Sequence, residues 1–431
     1  MALLLKNAHV CDPQTGVNEI LDLVIRDGVF AEIGKNLSIP KGVEIDCQEK
    51  IVIPGIVDMH GHLREPGFEY KETIASGAKS ALMGGYTDIC CMPNTDPVAD
   101  NASVIEYIVK RAQEQSFCRV HPFGAITQEL AGKKLAELYD MKQAGACAFS
   151  DDGRGIQSAK MMRAALDYAK MFDVLLVAHS EDETLAGNGC VNEGIASTKL
   201  GLPGQPGESE SVMVARDMHL ARLTGGRVHV AHLSSRHGVD ALRAAKAQNL
   251  RVSGEVTPHH LFLNETDLDA SYDTNLKVNP PLRSIEDQEA LIAALIDGTI
   301  DVVATDNAPH ASQEKEVEFE NAAYGSIGYE TALPLVYTNL VKSQRMSLER
   351  LVEVMAINPR TLLGLRPVKI EVGSQADLTI FDPTKTKTFK AGSFASCAQN
   401  SAFIGKKLYG VVTDVIVNGY HTLQDGKVIA S

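Results

Sequence analysis

Eight short apolar runs stand out along the chain: Ile53–His60, Tyr86–Met92, Arg119–Ala125, Ala146–Ser150, Val174–Ala178, Arg227–Ala231, Arg251–Val256 and Asp301–Ala304. Each has the length of a buried strand, and most end in a polar tip. Amphipathic segments of helical spacing separate most of them: Lys71–Met83, Ala131–Gln143, Ser158–Met171, Glu210–Leu223, Gly238–Ala247 and Ile285–Ile296. Eight alternating strand and helix units in roughly 250 residues predict an α/β protein with a (β/α)8 TIM-like barrel, whose functional groups gather at the C-terminal strand ends. An open doubly wound sheet is the alternative, but no glycine-rich phosphate loop marks its switch point.

The chain ends read differently. Leu23–Arg26 and Val29–Ile33 flank Asp27-Gly28, a strong two-residue hairpin connector. Near the C-terminus, Ala376–Phe381 is strand-like, Val411–Val417 runs into Asn418-Gly419, and Asp425-Gly426 precedes Lys427–Ile429. Neither end alone holds enough strands for a stable sheet, so the two are expected to meet in one small β-sandwich domain. The expected division is 1–52 and 366–431 for that domain and 53–365 for the barrel.

With 431 residues, 44% hydrophobic and 22% charged, the chain can bury a sizeable core. A formal charge of −14 argues against nucleic acid or an anionic membrane as partner, yet leaves room for a small anionic substrate where arginine or a metal overrides the field. Leu3-Leu4-Leu5 is too short for a signal-peptide core and no later run approaches a membrane span, so a cytoplasmic location is expected. The eight cysteines include no C-x-x-C pair and are expected to be reduced and mostly buried.

The polar tips carry the chemistry. His60 and His62 alternate in a strand, so both face one way and make half a metal site from neutral imidazoles. Later tips add Asn94, the pair Asp151 and Asp152, His179, His232, and Asp306 with His310. Alternation puts His229 and His232 on opposite faces, so only one is expected to look inward, and His232 lies nearer the tip. His259 and His260 read as solvated or hydrogen-bonded loop histidines. Of Asp151 and Asp152, one faces in, and alternation alone does not say which; a capping or turn role is expected for the other.

Several stretches carry a family resemblance: Asp58-Met59-His60-Gly61-His62-Leu63-Arg64-Glu65-Pro66-Gly67, Cys91–Thr95, Phe149–Gly153, Asn279–Arg283 and Thr305–His310. Together they resemble the dihydroorotases of the amidohydrolase superfamily, in the bacterial class I form, over nearly the whole chain. The resemblance implies that His60, His62, Asp152, His179, His232 and Asp306 hold one or two zinc ions, with the second aspartate of the D-D-G motif as the ligand. It implies substrate contacts from His62, Arg64, Asn94, Asn279 and His310, and a loop at Tyr324-Gly325 that closes over a pyrimidine ring. Two positions depart from the pattern: Gly61, where valine is commoner, and Asn307.

The implied activity is a metal-dependent cyclic amide hydrolysis in pyrimidine (UMP) synthesis: N-carbamoyl-L-aspartate and (S)-dihydroorotate interconvert, with Asp306 as the proton shuttle. Hydantoinases and allantoinases are the nearest rivals, but they typically carry a carboxylated lysine at the fourth tip, where Ala148–Asp152 has none. An inactive scaffold for aspartate transcarbamoylase would lack ligands, and none is lacking here. Aspartate transcarbamoylase nonetheless stays a candidate partner, and a homodimer is the expected assembly.

Overall fold

The computed structural model describes residues 2–429. Eight parallel strands form the barrel: β1 (Ile56–Asp58), β2 (Tyr86–Cys91), β3 (Arg119–Gly124), β4 (Ala148–Ser150), β5 (Leu175–Ala178), β6 (Arg227–Val230), β7 (Val252–Val256) and β8 (Val302–Val303). Each pairs with its neighbour in the chain, and the ring closes where Gly61 pairs with Asn307 and the His62 N–H donates to the Asn307 carbonyl at 2.8 Å.

Alternation along the strands sorts the apolar residues into two layers. Val57, Cys90, Phe123, Ala148, Val177 and Val302 fill the lumen, so the barrel is packed and not a pore. Ile56, Ile89, Cys91, Val228 and Val303 point outward onto the helices. Cys90 and Cys91 thus face opposite ways, and all eight cysteines are free thiols.

Most expected helices form within a few residues of their pattern. Ser158, Ser235 and Ser284 cap three of them, each accepting a backbone N–H from the first turn. The expected Ala131–Gln143 helix begins only at Leu138, because Leu130 and Gly132 sit at φ of 54° and 66°, which a right-handed helix does not admit. Several helices escaped the pattern, among them Ala102–Gln115, whose buried stripe is only Val104, Ile105, Ile108 and Ala112, and Tyr329–Val336, which is buried all round.

Both chain ends build one nine-stranded sheet, as expected. Ile51–Pro54 joins the halves, pairing parallel to the first strand of the chain and antiparallel to Leu378–Phe381. Leu3, Leu23, Phe30, Leu378, Ile380 and Ile416 share its core. Asp27-Gly28, Asn418-Gly419 and Asp425-Gly426 all adopt consecutive positive φ, between 47° and 86°, as tight hairpins of this twist require. The run Ile53–His60 is split: Ile53 and Pro54 belong to this sheet, and Gly55 turns the chain into β1. Any side chain at Gly55 would meet the Thr87 hydroxyl at 2.3 Å.

Under the barrel, Asp88 binds Arg119 and Arg360, and Arg119 also reaches Asp377 at 2.9 Å, tying the barrel floor to the end-built sheet. Among the described residues, no helix is long and apolar enough to cross a membrane.

Candidate metal centre

The site grows from the C-terminal ends of the strands. After β1, His60 is fully buried, with Nδ1 at 2.5 Å from Glu255 Oε1. A carboxylate accepts only, so Nδ1 carries the proton and the Nε2 lone pair turns to the barrel mouth. His62 is fixed the same way by Asn94: Nδ1–H donates to Asn94 Oδ1 at 3.0 Å, leaving Nε2 at 3.1 Å from Asp306 Oδ1.

Asp152 lies at the centre of the remaining ligand candidates. Its Oδ1 is 3.3 Å from His60 Nε2, 3.6 Å from His179 Nδ1 and 3.6 Å from His232 Nε2. Asp151 faces away, accepting the Ile126 and Thr127 backbone N–H groups at 2.8 and 2.9 Å together with the Thr127 hydroxyl. One aspartate therefore serves the mouth and its neighbour holds a turn, as expected. His60, Asp152 and His232 form one compact donor trio, and His60, His62 and Asp306 a second that shares His60.

The donor set fits a divalent ion. Both His60 Nε2 and Asp152 Oδ1 are buried without a hydrogen-bond partner, a costly state that a cation between them would relieve. Imidazole nitrogens and carboxylates, with no thiolate, suit zinc or a similar metal. Burial works against every charge here, but His60, His179 and His232 around Asp152 outweigh it and hold its carboxyl well below the usual range. Burial likewise disfavours the Asp306 carboxylate, yet His62 and His60 keep it ionised.

His229 corrects an expectation. It too faces the lumen, with Nδ1 at 2.7 Å from Ser253 Oγ and Nε2 at 3.1 Å from Glu255 Oε2. His232 reaches the same interior because β6 ends at Val230 and His232 takes a φ of 32°, which swings its side chain back inward. Alternation holds only while the strand lasts. Likewise, His259 and His260 are buried and not solvated: His260 is hydrogen-bonded to Thr257 and the Pro280 carbonyl, whereas His259 Nε2 has no partner. Glu255 was missed altogether, although a lone acid inside the strand Val252–Val256 is itself a signal, since a buried charge demands partners.

The rim holds the other candidates. Arg64, at φ 62°, donates from Nε to the Pro309 carbonyl at 3.1 Å and lies 3.2 Å from His310 Nε2. His310 Nε2–H donates to the Tyr324 carbonyl at 2.8 Å; burial, then Arg64, Lys71 and Lys315, draw this histidine down to about 3, so it is neutral. Asn279 Nδ2 is 3.5 Å from His179 Nε2. Gly325 sits at φ 137°, with its N–H donating to the Lys277 carbonyl and its own carbonyl accepting from Lys315 and Asn400. Its backbone groups are thus committed within the protein, and at this loop Gly325 contributes shape.

Both departures from the family pattern have a structural account. A side chain at Gly61 would meet the Tyr329 hydroxyl at 2.1 Å, so the buried Tyr329 fills that space. Asn307 closes the barrel against Gly61, pairs with Ser326 at the base of the following loop, and accepts the Gly328 N–H at 2.9 Å.

Residues 49–238 match the family model described as dihydro-orotase-like. A dihydroorotase from Acetivibrio thermocellus is 46% identical over 417 residues, covering 97% of this chain and 98% of that protein. One from Pelotomaculum thermopropionicum is 46% identical and covers 99% of each chain. Among solved structures, the L-hydantoinase (dihydropyrimidinase) from Arthrobacter aurescens is similar with a TM-score of 0.89 at 27% identity, covering 99% of this chain and 97% of the other. Near-complete coverage at such identity, on a barrel whose mouth gathers the residues named above, means that the chain belongs to the dihydroorotase family.

Proposed function

We propose that this chain is a dihydroorotase: it closes N-carbamoyl-L-aspartate to (S)-dihydroorotate with loss of water, and reopens the ring, in pyrimidine synthesis. The observation that carries the reading is Arg64 within electrostatic reach of Asp306 and Asp152 of the two donor trios, because a carboxylate-bearing cyclic amide needs a cation at the rim and a metal at the amide. Zinc is the ion we assign, held as one or two ions by His60, His62, Asp152, His179, His232 and Asp306. When bound, it supplies Lewis acidity at a carbonyl oxygen and lowers the pKa of water.

The chain's own residues do the rest. The guanidinium of Arg64 takes the substrate carboxylate with its fork of donors. His62, Asn94, Asn279 and neutral His310 orient the ring, and Tyr324-Gly325 covers it. In ring opening, ionised Asp306 accepts the proton of the attacking water and returns it to the departing ring nitrogen; in closure the sequence reverses.

All of these roles fall to the barrel, residues 53–365, while Asn400 of the end-built domain braces the His310 and Gly325 backbone from behind. We assign a cytoplasmic homodimer with aspartate transcarbamoylase as a candidate partner, which sizing of the protein alone and with that enzyme tests. The activity test is direct: purified protein is given dihydroorotate, hydantoin and allantoin in parallel, and loss of dihydroorotate absorbance is followed with gain of carbamoyl aspartate. Preferred turnover of hydantoin or allantoin would transfer the protein to the hydantoinase reading.

A further inference from the structure

Between Asn307 and Ser326, which pair at its base, the chain throws out a loop that ends at Tyr324-Gly325 beside His310. Two lysines lie inside or beneath it, and both are almost fully buried, Lys277 at 2% exposure and Lys315 at 4%. Lys315 Nζ donates to the Ala323 carbonyl at 2.8 Å and to the Gly325 carbonyl at 3.0 Å, so it brackets Tyr324 from within. Lys277 Nζ donates to the Glu320 carbonyl at 2.8 Å and lies 4.4 Å from the centre of the Tyr324 ring.

Among the described residues, neither ammonium forms a salt bridge; their partners are carbonyls and rings. Buried cations without a counter-charge are costly. Backbone carbonyls alone could be satisfied by neutral donors such as the Asn400 amide, which already reaches the Gly325 carbonyl at 3.0 Å. Bracing the loop therefore does not by itself call for an ammonium here. Burial, then the charge of Lys277, draw Lys315 down to about 7, with only Asp273 opposing them. An anion bound near Arg64 would supply the missing counter-charge. The contacts run that way: Lys315 holds the Ala323 and Gly325 carbonyls on either side of Tyr324, the Tyr324 carbonyl accepts from His310, and His310 lies 3.2 Å from Arg64.

We propose that Lys315 is a positioning residue for the anionic substrate: from inside the 307–326 loop it fixes Tyr324-Gly325 and adds its charge to that of Arg64, with Lys277 bracing the same loop from below. This rests on the dihydroorotase reading and extends it to residues that do not touch the substrate. Charge felt through one residue of backbone acts on binding and not on the chemical step, so the effect falls on KM. It falls more heavily on N-carbamoyl-L-aspartate, with two carboxylates, than on dihydroorotate, with one.

The test uses the metal-loaded enzyme and the variants Lys315→Met and Lys315→Gln, the second of which keeps a donor and loses the charge. Metal content, melting temperature, kcat and KM are measured in both directions. For Lys315→Met we expect KM for N-carbamoyl-L-aspartate to rise by about tenfold or more, with kcat within about threefold and metal content unchanged. Lys315→Gln should show most of that rise, and it carries the test if the methionine variant does not fold. A folded, metal-replete variant whose KM for both substrates stays within about twofold of the wild type overturns the proposal, as does a loss confined to kcat or to melting temperature. Inactivity of the wild-type enzyme on both substrates would strike the functional reading instead, and is told apart by that control.

Discussion

Glu255 offers the sharpest perturbation, because one buried carboxylate serves three partners. Its Oε1 accepts from His60 Nδ1 at 2.5 Å and from the His232 backbone N–H at 3.2 Å, and its Oε2 meets His229 Nε2 at 3.1 Å. In Glu255→Gln the amide oxygen can still accept from His60, while the amide N–H donates to His229 Nε2, provided His229 carries its proton on Nδ1 and donates it to Ser253. Shape and hydrogen bonds survive, and only the charge behind His60 is removed. A carboxylate of this kind raises ligand basicity, and its loss typically lowers metal affinity 10–100-fold, about 1.4–2.7 kcal/mol. Glu255→Ala instead strands polar groups in a dry interior, at about 1–3 kcal/mol each. Competition with a chromophoric chelator, paired with urea denaturation of the metal-free proteins, separates the two costs. The glutamine variant should lose metal affinity at nearly constant stability, and the alanine variant should lose both. Metal affinity of Glu255→Gln within about twofold of the wild type would refute the reasoning.

The two adjacent aspartates should fail differently: Asp152→Ala should empty the site of metal, while Asp151→Ala should retain metal and lose about 1–3 kcal/mol of stability for each stranded donor in urea titrations. Equal metal loss in both variants would count against the assigned roles. Arg64→Lys keeps the charge but not the fork, and should lower kcat/KM for dihydroorotate by an amount worth about 2–4 kcal/mol; unchanged kinetics would remove Arg64 from the site. His259 is held neutral by burial, which draws it down to about 4. The unfolded chain therefore binds a proton there that the folded protein refuses, and this contribution is lost as pH falls from 6.5 toward 4. Relative to wild type, the stability of His259→Asn should improve by up to about 3 kcal/mol across that window, and parallel pH profiles would contradict it.

How much of this was legible from residues alone follows from the range over which each rule operates. Periodicity found the eight barrel strands and the hairpins of both ends, because strand pairing and lumen filling impose period two on every one of them. It located His60 and His62 for the same reason. It failed at His229 and His232, since the inward turn of His232 depends on a left-handed backbone beyond the strand. Asp152 was separable from Asp151 only through resemblance; the physical reason, that the 126–127 turn claims Asp151, involves residues twenty-four and twenty-five positions away. Lys277 and Lys315 gave no signal, because surface and buried lysines look alike until the loop around them is closed.

The contact between Gly61 and Tyr329 also constrains the order in which this site can change. Enlarging position 61 first drives a side chain into a hydroxyl at 2.1 Å, on the segment that carries both His60 and His62. Trimming Tyr329 first opens a void against the barrel wall, at a cost that for large aromatic residues reaches about 3–5 kcal/mol when cut to alanine. Each single step is unfavourable while the pair of steps need not be, so the two positions form an epistatic unit. A valine introduced at position 61 should be tolerated only in a background where the residue at 329 has already given way. Designers who transplant consensus residues into this barrel would meet that barrier at a position that, read one site at a time, looks neutral.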